Sequence, residues 1–330
     1  MKGSINLSLL LLCCLLTSCT SVADLKTRPV WIDNAQSSYP VKEYLTAVGQ
    51  GLTRERASTN AQANLAEIFV VTVNAQTNSL TQATKEQNAL AVTMQSSTSL
   101  QRNIHTKTEQ VISGMLIRNS WLSPEGEYYA LAVLEKRTAA RNLTETIMAL
   151  DESSADYIDY SINHAANVIA SLNALRAARD EQLARTMANQ QLKQVSFSGI
   201  ASDISNLEIE KLIAKKLASM QVSVAVDSDR HKETLQSALA QLGISIVERS
   251  RVQISADIAL SEPEFINNWY WLRGSYALSL AENGQVISRK SWPVKISAKQ
   301  QTQLVSRLQV KINENISDYL AQLLSDSPTL

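Results

Sequence analysis

Cysteine is scarce in this chain of 330 residues, and Cys13, Cys14 and Cys19 all sit near the start. A body without thiols has no disulfide, no cysteine-ligated metal and no cysteine nucleophile. Glycine and proline are few, nine and six, which argues against many tight turns and for substantial helix. The histidines His105, His164 and His231 are too far apart for the His-x-x-x-His spacing of a helical metal site. Neither sign of charge prevails, with 31 basic against 31 acidic side chains, so the excess that a nucleic-acid partner needs is missing. Beyond the N-terminus no apolar run approaches the roughly 18 residues of a spanning helix. There is no Gly-x-Ser-x-Gly elbow and no Walker loop. The expectation is a protein without enzymatic activity, cofactor, metal or nucleic-acid partner.

What the N-terminus does hold is a secretory pattern. Lys2 supplies the positive region, and Ile5 to Leu16 is mostly apolar yet too short to span a bilayer. Leu16-Thr17-Ser18-Cys19 resembles the lipobox of bacterial lipoproteins. That resemblance implies removal of residues 1–18 as a signal peptide and lipidation of Cys19, with palmitate among its acyl chains. One chain binds a membrane only marginally, at about 0.8 kcal/mol per buried methylene, whereas several chains anchor permanently. Thr20 follows Cys19 where inner-membrane lipoproteins of this kind carry Asp, which implies the outer membrane, on its periplasmic face. Residues 19–28 are then a lipidated tether, of which nine extended residues reach about 30 Å at most.

The body is 45% hydrophobic over the whole chain and long enough for two domains. Tyr44 to Val48 reads as a strand. Thr53 is placed to cap the next helix, with Glu55 in its first turn and Ala57, Ala61, Leu65 and Ile68 or Phe69 on its inner face. Pro29-x-Trp31, Tyr39-Pro40, Tyr44-Leu45-x-Ala47-Val48-Gly49-x-Gly51 and then Ala57, Ala61 and Leu65-Ala66 follow one another in an order that resembles the LPP-twenty family of outer-membrane lipoproteins. The resemblance spans about residues 28–150. It implies a compact α+β domain and a role in envelope structure, and it brings no catalytic residues. One member of that family is flagellum-associated. The usual members are much shorter, so residues 151–330 depart from the pattern.

Further strands are expected over residues 111–121 and 128–134, around a Ser123-Pro124-Glu125-Gly126-Glu127 turn, and a helix carries Leu143, Ile147 and Leu150. Residues 154–194 hold neither glycine nor proline. They form either one helix, about 60 Å long, with a stripe from Ile158 to Arg176, or two packed helices broken near Arg179-Asp180. Expected next are strands at 221–226, 243–247 and 252–260, a helix at 232–242 and a long hairpin of 269–281 with 285–296. Ser297-Ala298-Lys299-Gln300 is a candidate capping box for a last helix, which carries Leu304, Leu308, Ile312, Ile316, Leu320 and Leu323 on one side. The fold class is α+β: two small α+β domains, 29–150 and 196–330, joined by a long helical segment at 151–195. Apolar parity in the hairpin, with even-numbered side chains inward on both strands, predicts a three-residue loop of Glu282, Asn283 and Gly284. That register sets Gly274 opposite Trp292.

Gly49-Gln50-Gly51 lies where a dinucleotide fingerprint would, but Arg54 stands at the third glycine position, so a tight turn is expected instead. Glu125 and Glu127 straddle a turn glycine and are expected to be solvated, unlike a glycosidase acid. Trp269, Tyr270 and Trp271 are the densest aromatic cluster. Alternation puts Trp269, Trp271 and Arg273 on the face opposite Leu272 and Tyr276, either under a helix or free to bind a partner. The sequence thus points to a non-enzymatic outer-membrane lipoprotein acting in envelope structure or assembly, with a flagellar association implied by the resemblance. The alternative is a lipoprotein that regulates a peptidoglycan-synthesising enzyme, for which a long helix would supply reach.

Overall fold

The computed structural model describes residues 27–67, 114–226 and 229–325. It divides into two compact units, one formed by residues up to 41 with 46–65 and 116–133, the other by 42–45, 66–115 and 134–330. Cys19 and the signal, Ile68 and Phe69, the polar stretch at 72–110 and His105 lie outside the described residues.

The first unit is built on a three-stranded sheet ordered β1-β3-β2, with β1 at Tyr44–Gly51, β2 at Leu116–Leu122 and β3 at Tyr128–Glu135. Helix α1 spans residues 54–67. Thr53 caps it as expected, its hydroxyl accepting from the Arg56 amide at 3.2 Å. Ala57, Ala61 and Leu65 are fully buried. The two glycines are not in a turn: Gly49 and Gly51 are strand residues. A Cβ on Gly49 would lie 2.1 Å from the Ala61 amide nitrogen and 2.4 Å from the Ala57 carbonyl oxygen. Their function is to let the helix backbone lie directly on the strand, the small helix residues being the other half of the same close approach. Asn60 and Asn64 strengthen it, donating to the carbonyls of Gln50 and Val48 at 2.8 Å each. The turn at 123–127 forms with Gly126 at φ +89°.

In the second unit β3 is followed without a loop by α2 (Lys136–Asp159), a π-helical turn at Tyr160–His164 and then α3 (Val168–Ser196). Two helices therefore replace the single long one, and the break lies at 165–167 rather than near Arg179-Asp180. Asn167 provides the physical reason, leaving the helical region and accepting from the Ala170 amide at 2.8 Å as an N-cap. The two helices pack through polar groups: Ser154 donates to the Ala178 carbonyl at 3.2 Å, and Gln182 and Arg185 reach Asp151 at 2.9 and 3.0 Å. Ile162, on the expected stripe, is exposed, whereas Ile169 and Leu172 are buried. Arg176 donates to the Leu324 carbonyl at 2.7 Å, and its burial pulls its pKa down to about 10.

The unit continues with α4 (Asn206–Ser219), β4 (Gln221–Ala225), α5 (Asp229–Gln241), β5 (Ser245–Ile246), β6 (Val252–Leu260), β7 (Glu264–Ile266), β8 (Trp269–Glu282), β9 (Gln285–Ala298) and α6 (Leu304–Leu324). The six strands form one sheet, with β4 parallel to β5 and β6, and β8 antiparallel to β6, β7 and β9. Helix α4 was not expected, although Ser205-Asn206-Leu207-Glu208 spells its capping box, which forms in both directions. The box expected at 297–300 does not form. Ser297 and Ala298 remain in β9, and α6 begins after a 3-10 turn without a side-chain cap. All six marked residues of α6 are buried, and they share a core with the first half of α3 and the even-numbered side chains of β8 and β9.

The hairpin loop has two residues, not three: Asn283 and Gly284, at φ +53° and +81°, with Glu282 paired to Gln285. Positive φ at both positions is what the right-handed twist of a two-residue turn demands. Parity is restored elsewhere, by a bulge that leaves Ile287 unpaired between Val286 and Ser288. Leu272 then faces Ile296, and Trp292 faces Tyr276, with Gly274 opposite Val294. Gly274 is required by the other neighbour, since a Cβ there would lie 2.0 Å from the Ala259 carbonyl oxygen in β6. Around Tyr276 an aromatic cluster forms. Trp292 stacks on Tyr319 at 4.2 Å between ring centroids, and His231 meets the Tyr276 hydroxyl at 2.9 Å.

Gly49→Ala should cost about 1–3 kcal/mol or more in urea unfolding, because neither backbone in the close approach has room to yield. Burial holds the His231 imidazole below its ordinary value of 6.5, and burial likewise pushes the Tyr276 phenol up. The unfolded chain therefore takes up the imidazole proton first. Stability is complete above about pH 6.5 and falls as pH drops through that value toward the lower native one. The melting temperature measured from about pH 8 to about pH 5 should fall more steeply for the native protein than for His231→Phe. Equal slopes would contradict this assignment.

Candidate functional site

The Trp269-Tyr270-Trp271 cluster opens β8, where two partners meet it. On one side β7 pairs Glu264 with Trp271 and Ile266 with Trp269, and on the other β9 pairs Ser297 with Trp271 and Lys295 with Arg273. Leu272, Tyr276 and Leu278 point into the core. The pleat therefore sends Trp269, Trp271 and Arg273 to the opposite face, as alternation requires. Both indoles are half-buried.

Cations complete this surface. The Lys295 ammonium stands 4.9 Å from the centre of the Trp271 ring, and Lys299 stands 5.7 Å from that of Trp269. Each pair satisfies the geometry by which an ammonium is held on the negative face of a π system. Arg273 is tied down laterally, donating to Glu264 at 2.8 Å. Both partners are about half exposed, so solvent screens most of that pair. Tyr270 projects to the other side and meets Phe265 at 4.7 Å between centroids. The result is a rigid aromatic platform edged by two lysines and one arginine. It is suited to stacking and charge recognition.

Sequence reading singled out Trp269, Trp271 and Arg273 but missed Lys295, Lys299 and Glu264. Lys295 carried a legible signal, being odd-numbered on the partner strand and so on the same face. Glu264 depended on β7, three residues long, which leaves almost no periodic pattern. The other candidates are separate. His164 is exposed beside Asp159 at 3.3 Å, and His231 is buried in the aromatic cluster. Glu125 is exposed, its carboxyl held below the usual range by its own backbone amide and the Ser123 hydroxyl, the opposite of a catalytic acid. Glu127, expected to be solvated, is instead half-buried and accepts from the Gln50 amide at 2.6 Å. Among the described residues no cluster of three or more His, Cys, Asp or Glu could hold a metal ion, and no helix is long and apolar enough to cross a membrane.

Residues 29–135 match the family model of the LPP20 lipoprotein. That match bears out the resemblance carried by Pro29-x-Trp31 and the Gly49-x-Gly51 strand. No curated protein matches the chain. Among solved structures, the secreted protein HP1454 from Helicobacter pylori is 17% identical with a TM-score of 0.45, covering 86% of this chain and 97% of its own. A minor lipoprotein from Acinetobacter baumannii is 13% identical with a TM-score of 0.27, covering 33% of this chain and 96% of its own. A candidate lipoprotein from Caulobacter crescentus is 18% identical with a TM-score of 0.25, covering 36% and 98%. All three are distant likenesses.

Each cation–π contact on the platform is worth about 0.5–1 kcal/mol at an exposed site. Lys295→Gln and Lys299→Gln should therefore each lower stability in urea by less than about 1 kcal/mol. A larger loss in either would mean that the lysine has a structural role beyond the platform.

Proposed function

We propose that this protein is a lipid-anchored, non-enzymatic lipoprotein of the outer membrane that faces the periplasm and holds or assembles another component of the envelope. The observation that carries this reading is the match to the LPP20 lipoprotein model beginning at residue 29, ten residues beyond Cys19, which stands in a lipobox-like sequence. The tether is too short for anything but a body held close to the membrane. The platform of Trp269, Trp271 and Arg273 is the proposed partner surface, since rigid indoles beside cations give large contact area at little cost in side-chain entropy. Flagellar machinery is the partner class to test first, on the family resemblance. The reading as a regulator that reaches toward a peptidoglycan synthase drew on a single 60 Å helix. With the break at 165–167 that support is gone.

The test has two arms. The native chain should incorporate labelled palmitate and sediment with outer membranes, and Cys19→Ser should do neither. Acyl chains on that variant would end the anchor reading. Trp269→Ala with Trp271→Ala should leave fractionation and circular dichroism unchanged but remove basal-body proteins from detergent-solubilised pull-downs. Retention of those proteins by the double variant would exclude the platform as their docking surface.

A further inference from the structure

A second site lies in the C-terminal unit, away from the tryptophans in sequence and of different chemistry. A cleft of about 430 Å³ opens where the end of α4, the start of β4, the start of α3 and the loop before β6 converge. Its lining includes Lys216, Arg249 and Arg251, the hydroxyl residues Ser219 and Ser250, and no aspartate or glutamate. Three cations around one concavity with no carboxylate in its lining give it a positive potential. Among the described residues neither Lys216 nor Arg249 takes part in an ion pair. Arg251 has only a long contact, 3.8 Å to Glu282, and its side chain is 72% exposed. Glu282 is itself occupied, accepting from the Val168 amide at 3.0 Å.

Two helix ends meet at the cleft, and both are engaged, which leaves its polarity to the side chains. The carbonyls at the end of α4 would ordinarily make that end negative, but they are already engaged. The Lys216 carbonyl accepts from Met220 and from the Ser219 hydroxyl, and the Ala218 carbonyl accepts from the Ser245 hydroxyl at 3.0 Å. Val168, the first residue of the 29-residue helix α3, lines the same cleft, but its amide is already engaged by the Glu282 carboxylate, so that helix end adds no free positive pole. Two arginine forks and a lysine point charge, arriving from separate segments, suit an anion that accepts from many directions and carries about two charges. A carboxylate is planar and carries one.

We propose that this cleft binds a phosphoryl group, held by Lys216, Arg249 and Arg251. Its volume exceeds that of bare phosphate and lies in the range of small-molecule sites, so the group arrives on a larger body, either a soluble phosphorylated compound or a lipid headgroup.

Calorimetric titration of the full chain carrying Cys19→Ser with pyrophosphate, at constant ionic strength set by chloride, tests the site. Saturable binding is expected, and Arg249→Gln and Lys216→Gln should each weaken it roughly tenfold. Both side chains lack ion-pair partners among the described residues, so the variants should keep the native melting temperature. Flotation with phosphatidylcholine vesicles, with and without phosphatidic acid, separates the sources. Pyrophosphate binding supports a soluble ligand. Binding only to phosphatidic-acid vesicles, lost in the same variants, supports a headgroup. No binding to either probe, or undiminished binding in both variants, overturns the site, and succinate binding as tightly as pyrophosphate overturns the choice of a phosphoryl group.

Discussion

One unpaired residue, Ile287, brings the apolar side of β9 to the same face of the sheet as that of β8. Side chains alternate along a strand, so a shift of one place in pairing would send Val294 and Ile296 to the face opposite Leu272 and Tyr276. The two-residue Asn283-Gly284 turn, preferred for its twist, imposes that wrong parity at the tip. The bulge corrects it three residues later, and from there to Ala298 the even-numbered side chains of both strands point the same way. The core shared by α3, α4, α5 and α6 lies against that face, and the tryptophan platform occupies the other. Both surfaces therefore depend on the placement of one residue.

Much of this was legible. Helical spacing on α1 and α6 translated into buried side chains at each marked position among the described residues, because a 3.6-residue period is hard to mistake over several turns. Even parity in the hairpin was also readable, from Leu272, Tyr276, Val294 and Ile296. The device that achieves it was not, since a three-residue loop and a two-residue turn with a bulge satisfy the same parity and differ by two places in register. Asn283 and Gly284 favoured the shorter turn on local grounds. Gly49 was readable as constrained but not for the right reason. A glycine in sequence does not say whether a turn or an approaching helix excludes its Cβ. Lys216, Arg249 and Arg251 could not be seen as a group, because the chain brings them together only by folding.

Helix α3 was the hardest element to place. Its buried face includes Gln182 and Arg185 as well as Ile169 and Leu172, so its apolar stripe weakens just where its packing tightens. Arg185 is nearly inaccessible and has three anchors, Asp151 and the carbonyls of Ile200 and Ala201 at 3.0 and 2.6 Å. A guanidinium in such a place is tolerated only with its donors engaged. The polar seam between α2 and α3 thereby fixes the register of two helices that apolar contacts alone would let slide, a role that hydrophobic periodicity does not report.

The asparagine pair on α1 has a consequence for crowding. Strand β1 lies at the margin of its sheet, and the margin of a sheet is a template on which a second chain can grow. At Val48 and Gln50 the carbonyls are already taken by Asn64 and Asn60. On the proposed anchoring, copies confined to one leaflet meet far more often than copies in free solution, at restricted orientations and for longer. Two amide side chains make β1 a poor seed for lateral polymerisation under just those conditions.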